Sequence, residues 1–534
     1  SYTSRVPVLA LIGQPPTNLE GHGAFQDSSG LAESIDAAAL FATVSRYCVR
    51  VTDPAALPRQ FAAAVAAARA GGPAVLLLPK DVQQQSMPTL AAADRSNAEQ
   101  WRGAQRNGSR QPAMAPSPMT TAQPATAPTP MTTAQPATAT TPVATAQLAT
   151  APVTTAQPAS ATASTTASTN VIAEELAAAR RTGKVVIIAG DQVARDNARA
   201  ELAELVTALD ASIGLAPDAK DVYANTGPGY CGVAGSMGHA ELVEALTSAS
   251  ACLLIGTRMP VTARAGLESV IADIPLLSIG ALPPYPAALH VTGTDLAAAI
   301  ADLLTRLDAT PAAITAPTPD LTPMSVPGAA GPGLRYRTVV EAIQRELPRG
   351  ADIFADAGNT GASVVHYLRV PEGGRFVVAL GMGGMGYAFG AGIGSAFARH
   401  DAADGPHRTI VIAGDGAFYM HGMELHTAIE HDLPITFVVF NNNAHAMCVT
   451  REQLYYRDRY SFNRFRPAHL GAGIAAMFPG LPAHTVDDPA DLTDALRGSF
   501  AATGPSFLEI LCDPDEIPPF LPFLSTIDAA RSTP

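Results

Sequence analysis

The sequence is short of several things, and each shortage narrows what the chain can be. It has a single tryptophan, Trp101, and only five cysteines in 534 residues. Those five (Cys48, Cys231, Cys252, Cys448 and Cys512) are scattered, odd in number and without CxxC spacing. The pattern argues against a disulfide framework or a zinc site. It favours reduced thiols and hence a cytoplasmic location. Basic residues are outnumbered, 34 against 47 acidic, which leaves a formal charge of -13. With no Lys/Arg-rich tract, neither nucleic acid nor an anionic membrane is an expected partner. No apolar run reaches membrane-spanning length, and no signal peptide opens the chain.

What is present is apolar and periodic. Hydrophobic residues make up 47% of the chain, and its length calls for two to four cores. Apolar strand-like runs alternate with Ala-rich helical stretches, which predicts an α/β architecture. Residues 1–98 form a first unit, with a helix over 54–70 and a buried strand over 73–78. Residues 99–170 differ sharply. The Pro/Thr/Ala/Gln segment 117–128 is nearly repeated at 129–140 and more loosely at 141–152. Almost without charge or large apolar side chains, such a tract cannot offset the entropy of ordering, so it reads as a flexible linker. Residues 171–312 form a second α/β unit, 313–334 a second linker, and 335–534 a third unit.

The third unit carries the most informative pattern. The apolar run 409–413 leads into Gly414-Asp415-Gly416, and the run 435–440 leads into Asn441-Asn442, after twenty-four intervening residues. The stretch 421–431 between them reads as a helix. In a parallel βαβ unit both polar clusters emerge at the carboxyl edge of neighbouring strands, where open α/β sheets bind ligands. Gly414 and Gly416 let the backbone approach a bulky anion. Asp415 offers a charged oxygen and Asn442 a neutral one. Two side-chain oxygens leave most of an octahedral Mg²⁺ shell to phosphate oxygens, a backbone carbonyl and water. The site therefore suits a diphosphate held through a divalent ion.

This spacing resembles the signature of thiamine diphosphate (ThDP) enzymes, and further segments resemble their acetolactate synthase-like branch. These are the glycine-rich turn Gly381-Met382-Gly383-Gly384-Met385-Gly386-Tyr387, the loop Asp356-Ala357-Gly358-Asn359-Thr360, and the early segments 6–14, 24–27 and 78–82. The resemblance implies three doubly wound parallel-sheet α/β domains: pyrimidine-binding, central and diphosphate-binding. The first is incomplete, with an unpaired sheet edge prone to association. It assigns Mg²⁺ to Asp415, Asn442 and the backbone carbonyl of Ala444. The diphosphate falls to Gly358, Asn359, Thr360, Gly414, Gly416 and Ala417. Gly383 and Met385 would hold the aminopyrimidine, with Met385 under the bent cofactor. Gln26 and Lys80 would contact a substrate carboxylate, and His445 could donate a proton. The family's glutamate, which hydrogen-bonds the aminopyrimidine, has no match in this sequence. The chain as written therefore reads as a fragment lacking it.

The implied activity is decarboxylation of a 2-oxo acid with ligation of the remaining fragment to an acceptor carbonyl, in a homodimer or tetramer. A non-ligating decarboxylase, a non-catalytic ThDP-binding relative or subunit, and a plain nucleotide-binding protein stay open beside it. Three departures bear on this. Arg451 stands where synthases carry a tryptophan that selects the acceptor. Ala70 replaces an arginine that helps hold FAD, and Gly190-Asp191-Gln192 replaces a glycine run of the central domain. FAD is therefore doubtful as a cofactor.

Overall fold

The structure is a computed structural model describing residues 1–3, 5–86, 165–166, 168–307, 315–400, 407–457, 459 and 462–532. Nearly all of these belong to one compact unit, Ser1–Gln85 together with Thr162–Pro534. The repeats at 117–152 lie outside the described residues. So does most of the expected linker 99–170.

Three parallel sheets organise the described chain. The first has three strands, β1 (Val8–Gln14), β2 (Tyr47–Arg50) and β3 (Pro73–Pro79), in the order β1-β3-β2. The second has seven: β4 (Thr165–Thr166), β5 (Lys184–Ala189), β6 (Ser212–Leu215), β7 (Tyr230–Val233), β8 (Ala249–Ile255), β9 (Leu276–Gly280) and β10 (Leu289–Thr292). Their order is β4-β10-β9-β8-β5-β6-β7. A helix, Thr169–Thr182, opens this domain just ahead of the boundary expected at 171. The third sheet has six: β11 (Asp352–Ala355), β12 (Phe376–Val378), β13 (Thr409–Gly414), β14 (Ile435–Asn441), β15 (Ala483–Val486) and β16 (Ser506–Leu511). They run in the order β12-β11-β13-β14-β16-β15. Residues 315–334 contain no helix or strand.

The continuous apolar runs explain the parallel pairing. A strand covered on both faces has no polar face to alternate with. All seven residues of β14 are buried, and so are the first five of β13. Their register pairs Thr409 with Ile435 and Gly414 with Phe440, which brings the Gly-Asp-Gly and Asn-Asn ends to one edge. The helix expected over 421–431 is displaced. The strand runs through Gly414, a helix begins at once at Asp415 and ends at His421, and a second spans Leu425–Glu430. Asp415 in the first turn of a helix is electrostatically favoured, so no separate turn is needed.

At the opposite end of this sheet a buried cation joins three elements without a carboxylate. Arg408 donates to the carbonyls of Ala502 (2.7 Å), Gly504 (2.8 Å) and Ser499 (2.9 Å) and to the hydroxyls of Thr436 (2.8 Å) and Ser506 (2.9 Å). Burial lowers its pKa to about 10. Each buried acceptor left unpaired costs about 1–3 kcal/mol. Arg408→Met is therefore expected to lose about 3 kcal/mol or more in urea unfolding. A loss below about 1 kcal/mol would contradict this reading of the network.

In the central sheet, the strand order reverses between β5 and β8, the place where such sheets open a ligand crevice. Gln192 fills it. Its oxygen accepts from the Ala281 amide (2.9 Å), and its nitrogen donates to Gly293 O and Asp196 Oδ2, both at 2.9 Å. A Cβ on Gly280 would lie 3.3 Å from the Gln192 oxygen, and one on Gly256 would lie 3.0 Å from its Cβ. The crevice is thus occupied by the protein's own carboxamide.

Candidate active site

The ends of β11, β13 and β14 converge on one small cavity of about 60 Å³, lined by Gly358, Asn359, Thr360, Met385, Asp415 and Asn442 among others. Gly414, Gly416, Ala417, Ala444 and His445 also line it. Three helices start here: Gly358–Tyr367, Asp415–His421 and Ala446–Tyr456. None has a side-chain cap on its first amides. Uncapped amides at helix starts carry partial positive charge and present donors to an anion. Gly358 adopts φ +93°, and the direction a side chain would take from it is empty. Gly416 has no such room, because a Cβ there would fall 2.5 Å from His445 Nδ1 and 3.2 Å from Met385 Cε.

Asp415 is 1% exposed, and its Oδ2 has no hydrogen-bond partner. Burial raises its pKa to about 7, although the amides of Gly416, Ala444 and Asn443 pull the other way. A buried carboxylate oxygen at the wall of a cavity without a partner is costly unless a cation completes it. Asn359 Oδ1 and His445 Nδ1 are also buried without partners. Burial lowers the His445 pKa, which favours the neutral ring.

The two asparagines divide their roles. Asn441 donates to Glu509 Oε1 (2.6 Å) and Ala468 O (2.9 Å), and so ties β14 to its neighbours. Glu509, buried on β16, also accepts from the amides of Leu470 and Gly471 and the hydroxyl of Thr485. Asn442 turns toward the cavity. Its nitrogen donates to Tyr336 Oη (2.7 Å), and its oxygen accepts from the Ala444 amide (3.0 Å). Tyr336 N donates to the Glu516 carboxylate, and Asn359 Nδ2 donates to Glu516 O. Tyr336 and Glu516 thus fix both amide side chains of the site, and burial raises Glu516 to about 7. Neither residue sits in a motif, since each acts from more than 100 residues away or across a chain reversal.

The glycine-rich turn is pinned by Asp356. Its carboxylate accepts from the amides of Ala357 (2.9 Å), Gly386 (3.0 Å) and Ala388 (3.0 Å). Met385 is thereby set against Gly416. Gly383 is not part of the cavity wall. It has φ +58°, and the ring of Phe25 lies where its Cβ would be, at 2.2 Å. The structure also does not bring Gln26 or Lys80 to the cavity. Gln26, at φ +60°, donates its side-chain amide to Met382 O (3.0 Å) and its backbone amide to Gly381 O. It braces the glycine turn from outside. Lys80 opens the short helix Lys80–Gln84 and is exposed.

Comparison with known proteins decides the family. The model described as "Thiamine pyrophosphate enzyme, C-terminal TPP binding domain" matches residues 356–510, and "Thiamine pyrophosphate enzyme, central domain" matches 169–281. This chain belongs to the thiamine diphosphate-dependent enzymes. A probable acetolactate synthase large subunit of Methanocaldococcus jannaschii is 23% identical over 98% of this chain and 79% of its own length. A sulfoacetaldehyde acetyltransferase of Castellaniella defragrans is 30% identical over 36% of this chain, which spans 31% of that protein. The crystal structure of benzoylformate decarboxylase from Polynucleobacter necessarius shares the fold, with a TM-score of 0.57 at 16% identity over 97% of this chain and 84% of that one. No helix among the described residues is long and apolar enough to cross a membrane.

The residues present fit the cofactor this family implies. Among the described residues no group of three or more His, Cys, Asp or Glu could hold a metal by itself. Asp415, Asn442 and Ala444 line one cavity, and oxygen donors of their kind suit an ion such as Mg²⁺ that takes the rest of its shell from phosphate and water.

Proposed function

We propose that this chain carries out ThDP- and Mg²⁺-dependent decarboxylation of a 2-oxo acid, with ligation to an acceptor carbonyl. The observation that carries this reading is the unpartnered Asp415 Oδ2 beside Asn442, facing three uncapped helix starts in one cavity. Asp415, Asn442 and Ala444 O would hold the ion. The amides opening the helices at Gly358 and Asp415, together with Thr360, would hold the diphosphate. Met385 would support the cofactor's bend and align its reacting atoms, a gain of proximity. His445, neutral and beside Phe465 at 4.7 Å between ring centroids, would serve as a proton donor or positioner. Bound ThDP supplies an electron sink for the carbanion left when carbon dioxide departs.

Ligation is favoured over simple decarboxylation by the near full-length similarity to a probable acetolactate synthase subunit. Arg451 stands on the helix Ala446–Tyr456 that starts at the cavity, where its charge would suit an anionic acceptor. Pairing of chains, as a dimer or tetramer, belongs to the same reading.

Two measurements test it. Calorimetry on the full chain should show ThDP binding that disappears when Mg²⁺ is removed by EDTA. Binding indifferent to the metal sinks the proposal. Incubation with pyruvate, ThDP and Mg²⁺ then separates the activities: a branched 2-hydroxy-3-oxo acid supports ligation, and free acetaldehyde supports a plain decarboxylase.

A further inference from the structure

The helix Gly358–Tyr367 begins at the candidate diphosphate site and ends against the central domain. The last carbonyls of an α-helix lack intrahelical partners. Here one side chain, Lys220, donates to the carbonyls of Val365 and Leu368 and also to that of Val364, which already accepts from the Leu368 amide. Lys220 comes from the loop between β6 and β7, is 1% exposed, and lies over the Phe376 ring at 5.6 Å. The neighbouring Asp221 does not compensate it, because its carboxylate pairs with Arg199 and Arg375.

The same loop holds the next residues too. Asn225 donates to Lys220 O (2.8 Å) and accepts from the Val370 amide (2.9 Å). His366, in the last turn, bonds Met237 O at 3.0 Å and accepts from the Met324 amide at 2.9 Å. An ammonium has three donors, which matches three carbonyls converging from one helix end. Its positive charge also complements the negative end of the helix dipole. Burial pulls the other way, lowering the Lys220 pKa to about 7. The protein thus keeps a polar amine where an apolar plug would be cheaper to bury.

We propose that Lys220 is a positioning residue for the cofactor's diphosphate: by gripping the far end of the helix, it sets where Asn359 and Thr360 stand at the near end. The span from Asn359 to Leu368 is roughly 14 Å at 1.5 Å rise per residue. A helix this short moves as a rigid body, so release of one end shifts or tilts the other. The inference rests on the ThDP reading given above.

The test uses the full chain and Mg²⁺-ThDP. Affinity is measured by calorimetry for the unaltered protein, Lys220→Met, Asn225→Ala and Arg408→Met. Hydrogen exchange of the amides at 359–361 is followed without cofactor, at a temperature where each variant is folded. Lys220→Met is expected to bind at least about tenfold more weakly and to exchange faster at those amides. Asn225→Ala, a milder release of the same end and the fallback should Lys220→Met not fold, should show a smaller loss of the same kind. Arg408→Met should be less stable yet bind within about twofold of the unaltered protein. If the unaltered protein does not bind Mg²⁺-ThDP, the functional reading fails. If it binds and folded Lys220→Met, or in its place Asn225→Ala, matches it in affinity and exchange, the positioning role is overturned.

Discussion

Asp415→Asn is expected to weaken Mg²⁺-dependent ThDP binding at least about a hundredfold while making the cofactor-free protein more stable. The opposite signs come from one cause. In the empty site the carboxylate is buried with Oδ2 unpartnered, and burial lifts its pKa from the ordinary 3.8 to about 7. A folded-state value above the unfolded one means the folded chain binds the proton more tightly. Stability contributed by this group is therefore present at low pH. It is lost as pH rises from about 4 to about 7, by about 4 kcal/mol over that window. Asparagine keeps the shape and removes the charge, so it should abolish this term. Metal binding needs the ionised form, so Mg²⁺-ThDP affinity of the unaltered protein should fall about tenfold per pH unit below 7. Glu516 is raised for the same reason and slopes the same way, so the difference between the two proteins isolates Asp415. Thermal melts in EDTA at pH 5 and pH 8, with calorimetric titrations at matched pH, check both halves. Unchanged affinity in Asp415→Asn, or a cofactor-free melt no higher at pH 8 than that of the unaltered protein, would refute the account.

The second large effect is expected at Asp356. Its carboxylate holds three amides, those of Ala357, Gly386 and Ala388. Alanine leaves them without an acceptor, and the two that are buried, of Gly386 and Ala388, set a loss of about 2 kcal/mol or more at about 1–3 kcal/mol for each. Local consequences go further than stability. Gly386 sits at φ +86°, with His421 Nδ1 only 2.2 Å from where a Cβ would be, so the turn has one tight way to fit. Freed from Asp356, the segment carrying Met385 should drift from Gly416, and ThDP affinity should drop about tenfold. Urea unfolding and calorimetry on Asp356→Ala measure the two. Stability within about 1 kcal/mol of the unaltered protein would show that the turn is held by something else.

Much of this site was legible in the sequence because its signals are local. Two wholly apolar runs ending in Gly-Asp-Gly and Asn-Asn can only be neighbouring buried strands with polar tips, and the register of β13 and β14 agrees. Asp415 and Asn442 are placed together on that basis and Thr360 and Met385 by the resemblance to ThDP enzymes, and all four line one cavity. The misplaced helix shows the limit of local signals. The Gly-Asp-Gly segment reads as a turn, and the preference of an acid for a helix's first turn, which starts the helix at Asp415, is a signal too weak to decide against it. What could not be read were pairings across distance. Tyr336 meets Asn442 over 106 residues and Lys220 meets Val364 over 144, and neither leaves a periodic trace. Gln26 was read as facing substrate from its loop. The glycine turn's exposed carbonyls, Gly381 O and Met382 O, instead recruited its donors.

The adjacent asparagines at the tip of β14 answer to different selective demands. Asn441 belongs to the scaffold, since its loss would take one of four donors from the Glu509 carboxylate that gathers the starts of two neighbouring segments. In the proposed function Asn442 serves the chemistry, since it lines the cavity while its nitrogen leans on Tyr336. Drift at the first position would be felt as poor yield of intact protein, and drift at the second as a sound scaffold without an occupant.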